Sequence, residues 1–493
     1  MQILPLPSSK QLRVFFADEF SILPETSNKN QLHLALEKER YEEASRLIES
    51  ENEAHLVECF QGKEKSYKSC LHTIAALRDR EQSTKLCREL LQKISIAKNR
   101  EYLLHMTTVE ELELGGKTVY AVVAAIHIAA YSGNSGVVRL LCQEYAVDAN
   151  CSASESLEEE PKKGITALEW AARKGHTEVV KELIASTADV NVRRPTDGVT
   201  PLFIAAQEGH TDVVKLLLDN NVRVNASRDT YGATSLYMAA QNGHTEVVKL
   251  LLDNKADVNA MMHTDGATPL YIAAQNGHTE AAKLLLDNNA NVHASCTDDG
   301  STSLLIAAEN GHTEVVKLLL DNNADVNASR HAGGTPLYMA AQNGYTEVVK
   351  LLLDTNANVH ARCTDDGATP LLIAAHSGHA EVVKLLVHNN ADVNASIHRD
   401  GATPVFIAAQ KGHTEVLKVL LDYKADVNAS RHTGATPLYI AAQNGHTEVV
   451  KLLLDNNADV NASRTDDGAT PLYAAAQAGH TDVLKLLRET VQT

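Results

Sequence analysis

The chain has 493 residues, and its 44% hydrophobic but only 4% aromatic content indicates a core of small aliphatic side chains. The excess of 63 Asp and Glu over 45 Lys and Arg gives a formal net charge of −18. Such a charge repels phosphate backbones, so we expect no nucleic-acid partner. Seven scattered cysteines without a Cys-x-x-Cys pair predict a reduced, cytoplasmic chain, and no apolar run is long enough to predict a secretory signal or membrane insertion.

The first third of the chain contains three weakly similar segments. Residues 1–29 are predicted to cover one end of the fold. Leu-His-Leu-Ala-Leu at 32–36 and Leu-His-Thr-Ile-Ala at 71–75 are each followed by apolar residues at helical spacing. They predict two degenerate helical units within residues 30–104. Ile-His-Ile-Ala-Ala at 126–130 begins a third unit.

Two insertions accompany these units. Residues 105–123 include an alternating run around Gly115-Gly116, which predicts a β-hairpin near 109–123. The divergent third unit, residues 124–163, ends in a polar stretch from 151 to 163 that contains four glutamates. This stretch predicts an acidic loop, either projecting from the fold or disordered.

From residue 164 to residue 493 a glycine recurs every 33 or 34 residues. The ten equivalent glycines are Gly164, Gly198, Gly232, Gly266, Gly300, Gly333, Gly367, Gly401, Gly434 and Gly468. Each unit predicts two short helices: Thr436 caps the first, Pro437 occupies its first turn, and Gly445 ends it in the left-handed conformation. One such pair cannot bury its apolar face alone, so neighbouring pairs are expected to stack.

These units resemble the ankyrin-repeat family, whose pattern is G-x-T-P-L-H-x-A-A-x-x-G-H-x-x-V-V-x-L-L-L-x-x-G-A-D-V-N-A. Residues 434–462 read G-A-T-P-L-Y-I-A-A-Q-N-G-H-T-E-V-V-K-L-L-L-D-N-N-A-D-V-N-A. The resemblance covers ten regular repeats over 164–493, and the three earlier segments resemble degenerate members. It implies an all-α ankyrin-repeat solenoid of stacked helix-turn-helix units with finger loops, apart from the hairpin near 109–123. It also implies a monomeric, non-catalytic scaffold that binds a protein partner.

One departure from the family is systematic. The histidine that follows Thr-Pro-Leu, which in the family helps to tie neighbouring units by hydrogen bonds, is replaced in all ten regular repeats. A packed column is expected in its place, with a ligand-binding surface as the alternative. The replacing residues are Glu169, Phe203, Tyr237, Tyr271, Leu305, Tyr338, Leu372, Phe406, Tyr439 and Tyr473.

A second column contains the histidines of the Gly-His-Thr-Glu motif. Its members are His176, His210, His244, His278, His312, His379, His413, His446 and His480, with Tyr345 breaking the series. Packed helices place successive members about 10 Å apart, too far for a shared metal ion. We therefore predict a structural role for them and expect neither metal nor cofactor. Gly116-Lys117-Thr118 is not a phosphate loop, because Glu111 stands where that motif needs glycine.

The alternative to a scaffold is an enzyme with its catalytic site in residues 1–163 and the array as a targeting arm. Cys59 or Cys70 could pair with His72 or His33 as nucleophile and base. No family signature surrounds these residues, so the prediction is that the chain is not an enzyme.

The resemblance implies that partners touch the fingertips and the exposed start of the first helix. The strip after Ala-Ala is mostly uniform Gln-Asn, whereas some fingers carry exposed apolar residues beside polar ones, which are candidate anchors. Alternatively, these residues cap the neighbouring finger. Specificity is expected in the divergent units before Gly198 and in the insertions. The predicted partner-binding residues are Arg173, Lys174, Met261, Met262, Ile397, His398 and Arg399.

Two further expectations come from the resemblance. Arrays of near-identical repeats resemble ankyrin effectors that intracellular bacteria deliver into host cells, which implies a host-cytosolic location, although host scaffolds also carry such arrays. The Asp-Val-Asn motifs resemble substrates of an asparaginyl hydroxylase of animal cells. The candidate hydroxylation sites are Asn259, Asn327, Asn394, Asn428 and Asn461.

Overall fold

The computed structural model describes residues 35–36, 38, 40–50, 70–93, 107–114, 117–154 and 163–492. The chain divides into two compact units, the first formed by Met1–Lys174 and Glu178–Ala188 and the second by Gly175–Thr177 and Asp189–Thr493. The predicted end segment 1–29 lies outside the described residues.

Helices of the first unit stack in two rows. They are α1 (Tyr41–Ser50), α2 (Cys70–Ala76), α3 (Arg80–Lys93), α4 (Ala125–Ser132), α5 (Ser135–Arg139, continued by a π-helical turn, Leu140–Glu144), α6 (Ala167–Lys174) and α7 (Thr177–Ala185). One row packs α2 on α4 and α4 on α6, and the other packs α1 on α3 and α3 on α5. Asn134 joins two pairs, because its Nδ2 donates to Ser83 Oγ at 2.5 Å while its Oδ1 caps α5.

The predicted hairpin is present and is part of a larger sheet. Strands β1 (Thr107–Leu114) and β2 (Lys117–Ala124) pair antiparallel without interruption. Two short strands, β3 (Ser152–Ser154) and β4 (Lys163–Thr166), extend the sheet in the order β1-β2-β3-β4. The prediction of a loop over 151–163 was therefore wrong at its two ends, where Ser154 pairs with Lys163; residues 155–162 lie outside the described part of the chain.

The second unit is a stack of helix pairs. Between residues 201 and 492 these are α8 (Pro201–Glu208), α9 (Thr211–Leu218), α10 (Ser235–Gln241), α11 (Thr245–Asp253), α12 (Pro269–Gln275), α13 (Thr279–Asp287), α14 (Ser303–Glu309), α15 (Thr313–Asp321), α16 (Pro336–Asn343), α17 (Thr346–Asp354), α18 (Pro370–Ser377), α19 (Ala380–His388), α20 (Pro404–Lys411), α21 (Thr414–Asp422), α22 (Pro437–Asn444), α23 (Thr447–Asp455), α24 (Pro471–Ala478) and α25 (Thr481–Gln492). First helices pack on first helices and second helices on second helices of the next pair. A finger loop precedes each first helix.

The boundaries of the first helices follow the predicted chemistry. Thr436 is extended, and its Oγ1 accepts a hydrogen bond from the backbone N–H of Tyr439 at 3.2 Å. Pro437 occupies the first turn of α22, where no N–H is needed. Gly445 closes the helix with a φ of 75°, a conformation that favours glycine.

Candidate functional site

The Gly-His histidines connect successive helix pairs. Nε2 of His244 donates to the carbonyl oxygen of Gln207 at 3.0 Å, and Nε2 of His278 donates to that of Gln241 at the same distance. Equivalent bonds are made by His312, His379, His413, His446 and His480. The predicted structural role of this column is confirmed for these members.

The Gln-Asn strip is also used between repeats. Asn242 Nδ2 donates to the same Gln207 carbonyl at 3.0 Å, and Asn276 donates to Gln241 at 2.8 Å. Each carbonyl thus receives two donors from the next pair. These asparagine amides and glutamine carbonyls are already hydrogen-bonded within the array. The strip therefore has fewer hydrogen-bonding groups available to a partner than its sequence suggests.

The column that replaces the family histidine is buried or half-buried in the array except at Tyr473, which is 57% exposed. Phe203, Leu305 and Phe406 are buried. The Arg431 guanidinium lies 4.8 Å from the ring centroid of Phe406, so an arginine of the next finger covers the ring. Arg464 covers Tyr439 in the same way, at 5.5 Å. Packing, rather than a ligand-binding surface, accounts for the buried members of this column.

Met262 and Ile397 lie at the base of their fingers. The backbone N–H of Met262 donates to the carbonyl of Ala267 at 2.9 Å, and that of Ile397 to Ala402 at 3.0 Å. Arg431 makes the equivalent bond, so all three residues share one backbone position. Met262 and Ile397 are half-buried, which places them beneath the exposed tips.

A ladder of backbone hydrogen bonds joins the fingers. The N–H of His263 donates to the carbonyl of Tyr231 at 2.8 Å, and that of His398 to Asp366 at 3.3 Å. The His398 ring occupies the space that a Cβ on Gly367 would need. His398 therefore covers the neighbouring finger, and both His398 and Arg399 are exposed.

Met261 and Tyr231 form the most exposed apolar pair on neighbouring fingers of the described array. Met261 is 56% exposed and Tyr231 45% exposed. The Arg228 guanidinium lies 5.6 Å from the centroid of the Tyr231 ring. The sequence predicted Met261 as a binding residue but not Tyr231. The signal for Tyr231 is that residues 230–232 read Thr-Tyr-Gly, whereas residues 264–266 of the next finger read Thr-Asp-Gly.

Arg173 and Lys174 end helix α6 in the first unit, and both are half-buried. The Lys174 Nζ lies 4.4 Å from the ring centroid of Tyr131, which contacts Trp170 edge-to-face at 5.3 Å. The structure therefore holds Lys174 on an aromatic pair within the first unit.

The candidate hydroxylation sites are exposed residues whose amides connect turns. Asn259 Oδ1 accepts from the backbone N–H of Asn291 at 2.7 Å, and its Nδ2 donates to the carbonyl of Asn289 at 3.4 Å. Asn327, Asn394 and Asn428 accept equivalent bonds from the next repeat. Among the described contacts, no such bond reaches the Asn461 side chain.

The described cysteines of the first unit are poorly suited to catalysis. Burial raises the pKa of the Cys87 thiol to about 12, of Cys142 to about 11 and of Cys151 to about 12. A thiolate nucleophile is therefore disfavoured at all three. Cys59 and His33, and the side chains of Cys70 and His72, lie outside the described part of the structure.

One group of side chains has spacing suitable for a metal ion. Ligand atoms of Cys296, Asp298 and Asp299 lie within 4.8 Å of one another. Burial raises the pKa of the Cys296 thiol to about 12, and the Asp299 carboxylate already accepts two bonds from Ser301. The group therefore fits a structured finger turn better than a metal site.

The fold and its inter-repeat bonds define a helical repeat protein. Family models described as ankyrin repeats (3 copies) match residues 105–194, 168–262, 259–330, 327–397 and 395–464, and one described as ankyrin repeats (many copies) matches 445–488. Together they cover more than half of the chain, which belongs to the ankyrin-repeat family. Ankyrin repeats indicate a protein–protein interaction scaffold, and the family is typically non-catalytic.

No protein of the curated set matches the chain. Among the described residues, no helix is both long and apolar enough to cross a bilayer.

Proposed function

We propose that the chain is a monomeric, non-catalytic scaffold that captures a protein partner through its fingertips and its irregular N-terminal region. The observation that carries this proposal is the exposed pair Tyr231 and Met261, held on two fingers by the His263 backbone bond. Exposed apolar residues on a rigid backbone are suitable anchors for a partner. Met262 would support these contacts from the base of the Met261 finger, and Ile397, His398 and Arg399 would provide a separate contact on their own finger. We propose no nucleic-acid partner, because the net charge is −18.

The N-terminal region would provide specificity. The proposed organisation is an end segment (1–29), degenerate units (30–104), the hairpin insertion (105–123), a divergent unit (124–163) and ten regular repeats (164–493). The sheet of the first unit supports a role of the N-terminal region in specificity, because it adds a surface that the regular repeats lack. Arg173 and Lys174 would belong to the same surface.

The test is proximity labelling in a cytosol that supplies the partner. We compare the unaltered chain with a variant lacking 109–123 and with the double variant Tyr231→Ser/Met261→Ser. Tyr423→Ser is the matched control, because Tyr423 is 40% exposed but lies at the end of α21 rather than on a finger. Specific neighbours should be lost from the first two variants and kept by the control. Retention of every specific neighbour by both would contradict the proposal.

We further propose that the scaffold acts in the cytoplasm, as a bacterial effector in the cytosol of a host. Identical second helices support recent duplication of the array: residues 245–253, 313–321, 346–354 and 447–455 all read Thr-Glu-Val-Val-Lys-Leu-Leu-Leu-Asp. Fusion to a reporter enzyme that is active only in host cytosol tests delivery. No reporter signal during infection by the bacterium that produces the chain would contradict it.

A further inference from the structure

Strand β1 lies at one edge of the sheet in the first unit. It pairs with β2 along all eight residues, from Thr107 to Leu114, and no other described strand pairs with its outer side. In an antiparallel strand, alternate residues direct their backbone N–H and C=O groups away from the existing partner. The outer side of β1 therefore has a row of backbone donors and acceptors that no described strand satisfies.

The length and regularity of this edge favour pairing with a further strand. Natural sheets shorten, bulge or interrupt exposed edge strands, or place charged residues on them, because a long edge recruits another strand. The register of β1 against β2 is continuous over its eight residue pairs, and its sequence, Thr-Thr-Val-Glu-Glu-Leu-Glu-Leu, contains no proline. The backbone is thus suited to accept one more strand.

The charge of β1 limits what that strand can be. Glu110, Glu111 and Glu113 lie within four residues, and the strand has no lysine or arginine. Pairing with β1 of a second copy would bring like charges opposite one another, which destabilises a sheet. An extended segment with lysine or arginine at alternate positions is complementary in charge.

We propose that β1 binds an extended basic segment of a partner protein, which adds a fifth strand to the sheet. Backbone hydrogen bonds would hold the segment, and the acidic sequence of β1 would favour a basic one. The inference rests on the proposed scaffold function, because it names the chemistry by which the N-terminal region takes its partner.

The test uses the full chain and three labelled octapeptides of alternating lysine and valine, followed by fluorescence anisotropy. One peptide is unmodified, one is N-methylated at its four lysines and one at its four valines. An added strand bonds through alternate N–H groups only, and each lost bond weakens binding severalfold. One methylated peptide should therefore bind like the parent and the other at least about tenfold more weakly. Any other pattern, including equal binding by all three through the net charge alone, overturns the proposal.

Variants of the strand provide a second test. The variant Glu111→Lys/Glu113→Lys should bind the unmodified peptide at least about tenfold more weakly than the unaltered chain does. It should instead bind a peptide of alternating glutamate and valine. The matched control, Glu246→Lys/Glu280→Lys, changes the net charge equally at exposed positions on α11 and α13 and should have little effect. Equal weakening by both pairs, or failure to bind the glutamate peptide, overturns the proposal.

Different results would contradict the N-terminal location of the site and the strand-addition mode of binding. If deletion of 109–123 abolishes partner capture while Glu111→Lys/Glu113→Lys leaves it intact, the N-terminal site stands and the strand-addition mode is wrong. If the deletion leaves capture intact, the proposed location of the site is wrong, whatever the peptides show.

Discussion

Nε2 of His278 donates a hydrogen bond to the backbone carbonyl of Gln241 across 3.0 Å. The same ring lies where a side chain on Gly243 would be, since a Cβ built there would sit 2.6 Å from His278 Nδ1. Gly243 also has a φ of 71°. Glycine is therefore needed for the left-handed turn and for the histidine of the next repeat.

Removing one such histidine should weaken the array. His278→Ala deletes the bond to Gln241 and leaves a gap beside Gly243, which should lower the free energy of unfolding by roughly 1–3 kcal/mol. The measurement is urea unfolding followed by circular dichroism. His388→Ala, at the exposed end of α19, is the control and should change little. Equal urea midpoints for His278→Ala and His388→Ala would contradict the structural role of His278.

The array should lose stability in mild acid. Burial lowers the pKa of His278 below its usual value of 6.5; the hydrogen bond to the Gln241 carbonyl opposes this effect in part, and the charges of His244 and His312 add to it. The folded state therefore disfavours the protonated ring, so this stability is present above about pH 6.5 and is lost as pH falls through the folded pKa. Urea midpoints should fall between pH 7.5 and pH 5, and less steeply in His278→Gln. If the urea midpoints of the unaltered chain and of His278→Gln depend on pH in the same way, His278 is not the source of the acid sensitivity.

The step between helices α16–α17 and helices α18–α19 should be the first to open. Ser377 and His360 stand where other repeats have bridging asparagines. This step keeps the bond from His379 to the Gln342 carbonyl at 3.1 Å and the finger bonds from Arg362 to the Ser396 carbonyl and from His398 to the Asp366 carbonyl. Hydrogen exchange should be faster here than at the step between α10–α11 and α12–α13, where Asn276, His278 and Asn259 all bridge. Uniform protection along the array would contradict this expectation.

Restoring both asparagines should strengthen that step. Ser377→Asn/His360→Asn should add about 1–2 kcal/mol to the free energy of unfolding, because two inter-repeat bonds are formed. Thr355→Asn restores the repeat consensus without an inter-repeat bond and serves as the control. The urea midpoint should rise only for the double variant, and a rise of the same size in the control would point to helix capping instead.

Asparagine hydroxylation should depend on the contacts of each amide. In protein recovered from animal cells, we expect peptides containing Asn461 to carry one added oxygen before those containing Asn259, Asn327, Asn394 or Asn428. The last four must break a bond to the next repeat to reach an enzyme. Peptide mass spectra showing no added oxygen at any of the five would disprove the assignment.

Part of the candidate site could be predicted from the sequence. Met261 was correctly expected to be exposed, because an apolar residue in a polar finger stands out. Ile397 and Met262 looked equivalent to it, but they are one position further along the finger and are half-buried. Tyr231 was not predicted, because other tyrosines of the array, such as Tyr237, are buried and no local pattern distinguishes the two.

Local features of this protein were determined by the sequence itself. Thr436, Pro437 and Gly445 set the bounds of α22 through interactions within a few residues, so the repeat pattern alone predicts paired helices. Tertiary structure decided what links residues far apart in the chain: the bond from His278 to Gln241 spans 37 positions, and Ser154 pairs with Lys163 in a sheet to which β2 also belongs. Because the geometry of stacking determines those distances, no local pattern could show that the Gln-Asn strip faces its neighbours or that the hairpin extends into four strands.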